Sequence, residues 1–522
     1  MAYVRTVRTA SGATAVQIVH GKRRGARRME HIGSAHDEQE LEALKTAAGQ
    51  RLALLYPQLD LDLDSGDGAS GSALTGAPAS VRPGPLPIVS SRAGPLWEGL
   101  SAAYGGLGFS LASGGDEVFR QLVLARIIEP TSKADSLRVL AETGVDPAPS
   151  YATVKRRLPV WATEEFRRPL AAACARHTGL GPASLVLYDV STLYFETDAG
   201  DGFREPGFSK ERRLEPRITI GLLTDAAGFP LMIEAFEGNT GETTTMLPTI
   251  EAFMAAHHLP DVTIVADAGV ISAGNKRAVE AAGLSFILGT KIPDIPYVVG
   301  RWRREHESEQ PPDGLILTQP RPAGPTDRRR DEVIYYQYRA DRARRTLRGI
   351  DEQITKAEKA VAGKVPVKRN RFIRLVGADK SVNRTLEAKA RALAGWKGYT
   401  TNLTTCPDIT PITAEFVISA YHRLFQIEAS FRMSKHDLAA RPIYHHKRES
   451  IQAHLTVVFA ALAVGRLVEQ RTGWSIRRFV RTARRYRTIQ IRAGQQLLTA
   501  ADPVPTDLRD TLSVISQARG AH

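Results

Sequence analysis

LVLYDV, residues 185–190, is a run of strand-forming side chains with a carboxylate, Asp189, set into it. A strand buried on both faces carries hydrophobes almost throughout, so a charge inside one needs a partner. Two further β-rich runs follow, RITIGLLTD (217–225) and PLMIEAF (230–236), with DAAG (225–228) as the hairpin signal between them. Helical periodicity near 243–257 leads to VTIVAD (262–267), and again near 273–282 to SFILGT (285–290). Asp267 ends its run at the C-terminal side of a strand, where open sheets commonly place their chemistry. Taken singly, each Asp is better read as a strand-end residue that caps the next turn.

Three consecutive strands followed by alternating helix and strand is an α+β order, consistent with an RNase H-like core. At 522 residues the chain exceeds the size at which one core keeps growing, so it is multidomain. Composition shifts divide it into a small N-terminal β/α module (1–61), a flexible Gly/Ser/Pro/Asp-rich linker (62–96), a helical region (97–180), the first part of the core (181–291), an inserted, partly β domain (292–397), a second part of the core (398–470) and a basic C-terminal segment ending in a polar tail (471–522). The N-terminal module reads as a β-hairpin with a helix near 37–55.

Lys and Arg number 70 against 56 Asp and Glu, a net +14, so the summed field attracts polyanions and nucleic acid leads the possible partners. Two cysteines, Cys174 and Cys406, are too few for a disulfide framework or a Cys-based zinc site and fit a reducing cytosol. The longest apolar run, 455–464, is too short to span a bilayer and reads as a buried helix, so no membrane is expected.

Residues 115–178 read as helices: one stopping at Pro130, one capped by Thr131 or Ser132 and stopping at Gly144, and one capped by Ser150 with Lys155, Arg156 and Arg157 in its second turn. A turn followed by a helix basic near its start is the helix-turn-helix pattern, and any helical bundle exposing Lys-Arg-Arg gives the same pattern. Near the C-terminus Arg477, Arg478, Arg481, Arg484, Arg485 and Arg487 follow one another with no acid between them.

A third carboxylate, Glu428, lies in YHRLFQIEASFRMSK (421–435). Seven residues drift only about 20° around a helix, so Tyr421, Glu428 and Lys435 share a stripe. Leu424, Phe425 and Phe431 flank it, which predicts a partly buried Glu428 in need of a cation, either Lys435 or a metal. The alternative is a half-exposed Glu paired with Arg432. Three carboxylates without cysteine ligands or paired histidines suit Mg²⁺ or Mn²⁺, and two such ions about 3.5–4 Å apart serve phosphodiester chemistry.

At these residues the chain resembles DDE transposases of the bacterial insertion-sequence group that carries a Tyr, Arg, Glu, Lys signature. LYDVSTLYFE (187–196) resembles the group's first-Asp segment, GFSKERR (207–213) and PLMIEAFEGNTGETTT (230–245) the following region, IVADAG (264–269) its second-Asp segment, and IEASFRMSKHDLAARPIYHHKRESIQAHL (427–455) its third-acid segment. The resemblance runs from about Arg126 to Leu462. It implies an RNase H-like catalytic core interrupted before the Glu, and the interval from Asp267 to Glu428, 161 positions against 78 from Asp189 to Asp267, leaves room for that insertion.

The resemblance further implies that Asp189, Asp267 and Glu428 hold the metals, that Tyr421 and Lys435 contact DNA phosphates, and that the protein acts as a dimer on terminal inverted repeats and target DNA in the bacterial cytoplasm, at the nucleoid. The group's Arg falls four residues before the Glu, where this chain has Leu424. Arg423 is adjacent but turned about 140° from Glu428, whereas Arg432 is about 40° away, so Arg432 is expected to take that role. End recognition is assigned to the helical region through Lys155, Arg156 and Arg157, aided by Arg484, Arg485 and Arg487. Rival readings are a metal-dependent nuclease without strand transfer and a catalytically inactive DNA-binding relative.

Overall fold

The computed structural model describes the chain except for residues 1, 10–12, 21–27, 36–40, most of 42–50, 51–85, 181–183, 198–199, 208–214, 258–261, 270–272, 308, 325–328, 367–369, 377–378, 404–411, 442, 444, 494–495 and 518–522. It divides into two units, Met1–Pro83 and Gly84–His522. In the first, alternation of side chains builds an antiparallel sheet of β1 (Ala2–Arg8), β2 (Thr14–His20) and β3 (Arg28–Ala35) in that order, with Val16 and Ile18 buried on one face. The helix expected near 37–55 falls largely outside the described residues, as do 62–85 of the expected linker.

The rest of that linker is structured. β4 (Ile88–Arg92) leads directly into the helix Gly94–Gly106, which carries Pro in its first turn. The three helices read from the sequence follow as Glu117–Ile128, Ser136–Thr143 and Tyr151–Ala162, and then comes Glu164–Thr178. Asp116 and Ser150 cap their helices through the backbone N–H of Phe119 (3.0 Å) and Thr153 (3.1 Å), and Gly144 ends the second helix at φ 84°, where a side chain would be strained. These helices pack around Arg448–Thr472, a helix long and apolar enough to cross a membrane; 89% of its apolar window is buried inside the protein, which makes it the central core helix.

The second unit is organised by an eight-stranded sheet. Its strands are β5 (Ser184–Tyr194), β6 (Arg217–Asp225), β7 (Pro230–Glu237), β8 (Val262–Ala266), β9 (Ser285–Thr290), β10 (Ile316–Arg321), β11 (Glu332–Tyr338) and, beyond the small hairpin β12 (Ile373–Val376) and β13 (Asp379–Val382), β14 (Trp396–Thr401). Their spatial order is β10-β11-β14-β9-β8-β5-β6-β7. β5, β6 and β7 are antiparallel, β8 and β9 run parallel to β5, and the added strands are antiparallel again.

Alternation along β5 and β8 sorts the two faces. Val186, Tyr188 and Ile264 pack under the helices Glu242–His257 and Ala273–Ala281, through Met246, Ile250, Phe253 and Val279. Leu187, Leu193 and Val265 join the other core, with Val417, Ile427 and Phe431 from the helices Ala414–His422 and Leu424–Arg432.

The segment 292–397 is less separate than its composition suggests. β10, β11 and β14 extend the central sheet, and β14 covers the edge of β9 that would otherwise leave its backbone groups unpaired. The segment also builds two cores of its own: one around Val299, Tyr336, Tyr338 and Trp396, and one from the helix Ala340–Val361, the β12–β13 hairpin and the helix Arg384–Ala392, around Ile350, Ile354, Ala357 and Phe372. The expected polar tail is folded too. The helix Ile476–Ala483 leads to β15 (Thr488–Ala493) and β16 (Gln496–Ala501), which join β4 in a sheet of order β16-β15-β4, and Thr506–Ser516 packs on Gly94–Gly106.

Candidate active site

β5 and β8 pair with Ser184 opposite Val262 and Leu187 opposite Val265, a constant offset of 78. Carried two residues further, that register sets Asp189, midway along β5, opposite Asp267 (267 minus 189 is again 78), just past the C-terminal end of β8. Both are an even number of residues from Leu187 and Val265, so both carboxylates lie on the face covered by Ala414–His422 and Leu424–Arg432. Asp189 is half-buried and Asp267, one residue past β8, is exposed.

One side chain from the covering helices and one from β14 meet at this face. The Tyr421 hydroxyl donates to Asp267 Oδ1 at 2.5 Å, and Lys397 Nζ, on β14, donates to the Tyr421 oxygen at 3.1 Å and lies 4.2 Å from its ring centroid. Burial pushes the Tyr421 phenol well above its ordinary range, the bond to Asp267 pushes it further, and the Asp189 charge adds in the same direction. Burial pulls the Lys397 ammonium down, opposed by the charge of Asp267. Beside them, a Cβ at Gly289 would stand 2.8 Å from the Tyr421 hydroxyl and 3.1 Å from Asp267 Oδ1, so glycine leaves the space this contact occupies.

At the other end of the segment, Lys435 Nζ donates to Ser191 Oγ, two residues past Asp189 on the same strand face. Tyr421 and Lys435 therefore both meet the carboxylate face, with Glu428 midway between them in sequence. The helix is not continuous, however. It is interrupted at Arg423 and passes after Arg432 into a π-helical turn, Met433–Asp437.

Its middle stretch buries Ile427, Ser430 and Phe431, and Glu428, about 100° from Ile427, is exposed rather than partly buried as the stripe predicted. Among the described residues no three His, Cys, Asp or Glu side chains converge to metal-binding distance. Carboxylates pressed together without a counter-charge repel by about 4 kcal/mol per pair at 4 Å and an effective dielectric of 20. Asp189 and Asp267, oxygen donors on one sheet face, are of the kind that hard divalent ions take.

The basic residues singled out from sequence divide into two sets. Arg423 and Arg432 are exposed, their side chains making no hydrogen bond or ion pair among the described residues, and Lys155 and Arg156 are exposed on their helix. Arg157 is committed elsewhere: it binds Asp116 Oδ2 at 2.5 Å, beside the Trp161 indole N–H at 2.8 Å. Arg484 pairs with Glu129 at 3.2 Å, and Arg487 holds the Ser91 carbonyl at 2.7 Å, so both tie the C-terminal segment to the rest of the fold. Arg485, with Arg478 and Arg481, lines a groove of about 640 Å³ that also touches His436 and Asp437 of the π-turn. Sequence reasoning missed Lys397, whose place depends on β14 joining β9, and Ser191, which alternation along β5 would have found.

Residues 181–464, more than half of the chain, match the family model of the transposase DDE domain. The chain belongs to the family of DDE transposases and is an enzyme, a DNA transposase. Members of the family use divalent metal ions. A solved structure that it matches is a piggyBac transposase synaptic complex with hairpin DNA, at 11% identity over 81% of this chain and 77% of that one, with a TM-score of 0.37. No curated protein matches the chain.

Proposed function

We propose that this transposase cuts the ends of an insertion sequence and joins them to target DNA at one site built from Asp189, Asp267 and Glu428, on an RNase H-like core of the group with the Tyr/Arg/Glu/Lys signature. The observation that carries the reading is the shared register and face of Asp189 and Asp267. The strand order β7-β6-β5-β8-β9, antiparallel then parallel, supports the core assignment. The three carboxylates would hold two Mg²⁺ or Mn²⁺ ions, which when bound supply activation of the attacking oxygen and charge stabilisation at the leaving oxygen.

The chain's own residues set the geometry. Lys397 fixes the Tyr421 hydroxyl and Tyr421 fixes Asp267, while Lys435, anchored at Ser191 on the same strand face as Asp189, brings a positive charge to a phosphate. Arg423 and Arg432 add charge outside the site. Lys155 and Arg156 on one surface, and Arg478, Arg481 and Arg485 on another, would hold the terminal repeats through phosphate contacts. We further place the protein at the bacterial nucleoid, acting as a dimer that brings two ends together.

Incubation with Mg²⁺ and DNA carrying the element's own terminal repeats yields joined products on this reading. Cleaved but unjoined ends mark a nuclease, and binding without cleavage marks an inactive relative. Within the site, Arg432→Ala lowers cleavage at least tenfold, about 1.4 kcal/mol in the transition state, and Arg423→Ala lowers it less. The reverse ranking in two folded variants would mean that the break at Arg423, and not the helical face, decides which arginine meets DNA.

A further inference from the structure

We propose that Arg126, Lys133, His445 and His454 form a second, buried site that takes one phosphate group. Four separate segments bring them together: the last turn of Glu117–Ile128, the turn that follows Ser132, the loop after the π-turn, and the central helix Arg448–Thr472. Lys133 Nζ lies 2.8 Å from His445 Nε2 and 3.2 Å from His454 Nδ1. His454 Nε2 is 3.1 Å from the Ala440 carbonyl, so its proton belongs there and its Nδ1 accepts from Lys133. Two of the three ammonium N–H groups are thus used on neutral rings and one is left over.

Arg126, 5% exposed, makes no hydrogen bond or ion pair among the described residues. The acids nearest in sequence are engaged elsewhere, Glu129 with Arg138 and Arg484, and Asp135 with Thr131 and Arg138. Arg126 is the one charge set against Lys133, and it has the same sign; with burial it holds the ammonium well below its ordinary range, and burial first, then these two cations, pushes His445 down to about 4.

Two buried cations with no anion cost several kcal/mol, and hydrophobes of the same volume would avoid that cost. An anion resolves it. A planar guanidinium fork and a free ammonium N–H are donors that match phosphate oxygens. Half-buried His445 is the open side, and exposed His446, Lys447 and Arg448 follow it directly in the chain. The phosphate is either a DNA backbone group or the free ion. The choice of DNA rests on the transposase reading, whereas the site itself does not depend on the three carboxylates.

Thermal unfolding of the full chain, titrated with inorganic phosphate against chloride at matched ionic strength, reads the site directly. Wild type and Asp189→Asn should both show a saturable rise in Tm, while Lys133→Met and Arg126→Met should need at least tenfold more phosphate. Persistence of the response in Asp189→Asn separates this site from the catalytic one. A drop in duplex affinity of the two Met variants assigns the phosphate to DNA, and unchanged affinity assigns it to the free ion. No saturable rise in wild type overturns the proposal, as does an equal rise in either Met variant. If neither variant folds, the wild-type titration alone still decides whether a phosphate binds.

Discussion

Asp189→Asn and Asp267→Asn should each cut the rate of DNA cleavage on the order of 10³-fold or more, about 4 kcal/mol in the transition state, while duplex affinity stays within about twofold of wild type. The substitution keeps volume and removes one ligand charge. Because the two residues stand in register on neighbouring strands, the loss should be similar for both. Glu428→Gln should match them, although Glu428 is exposed and lies on a helix flanked by two irregular turns. Chelation of divalent ions should abolish cleavage in the wild type. Near-normal cleavage by any one of the three variants would falsify that residue's assignment.

The largest expected loss of stability lies elsewhere, at Asp116. Its carboxylate, 4% exposed, caps a helix at the Phe119 N–H, accepts two bonds from Arg157 and one from the Trp161 indole. Asp116→Ala leaves these donors unpaired around a buried site and should cost about 3–5 kcal/mol, lowering the first thermal transition by several degrees. Arg157→Ala should shift the same transition in the same direction and leave DNA affinity nearly unchanged. If Arg157→Ala instead weakens DNA binding at wild-type stability, the arginine belongs to the DNA surface after all.

The two aspartates were legible because a charge inside an otherwise apolar strand has to be explained, and the strand period then fixes the face it shares with its neighbours. Tyr421 and Lys435 were legible for a related reason, since a seven-residue spacing keeps side chains aligned even where the helix is irregular. Burial of Glu428 was misjudged because Phe425, counted as core, is 60% exposed once the helix restarts after Arg423. Runs of arginine carry no mark of their partners in sequence: Arg484 and Arg487 look identical to Arg485 there, yet only the last is left for a ligand among the three. The segment 292–397 was read as a partly β insertion; that its strands extend the central sheet was not legible, because their partner, β9, is supplied by the preceding sequence.

The pairing of β4 with β15 joins residues 88–92 to residues 488–491, with a side-chain bond between Ser90 and Gln490 across 400 positions. During synthesis at about 5–20 residues per second, the early strand waits roughly 20–80 s for its partner. Closing so long a loop is slow to nucleate but adds only logarithmically to the entropy cost. The helical layer behind β4 therefore becomes fully braced only after Asp189, Asp267 and Glu428 have already been made, so a chain shortened at its 3′-coded end keeps all three and loses the strand that fastens β4.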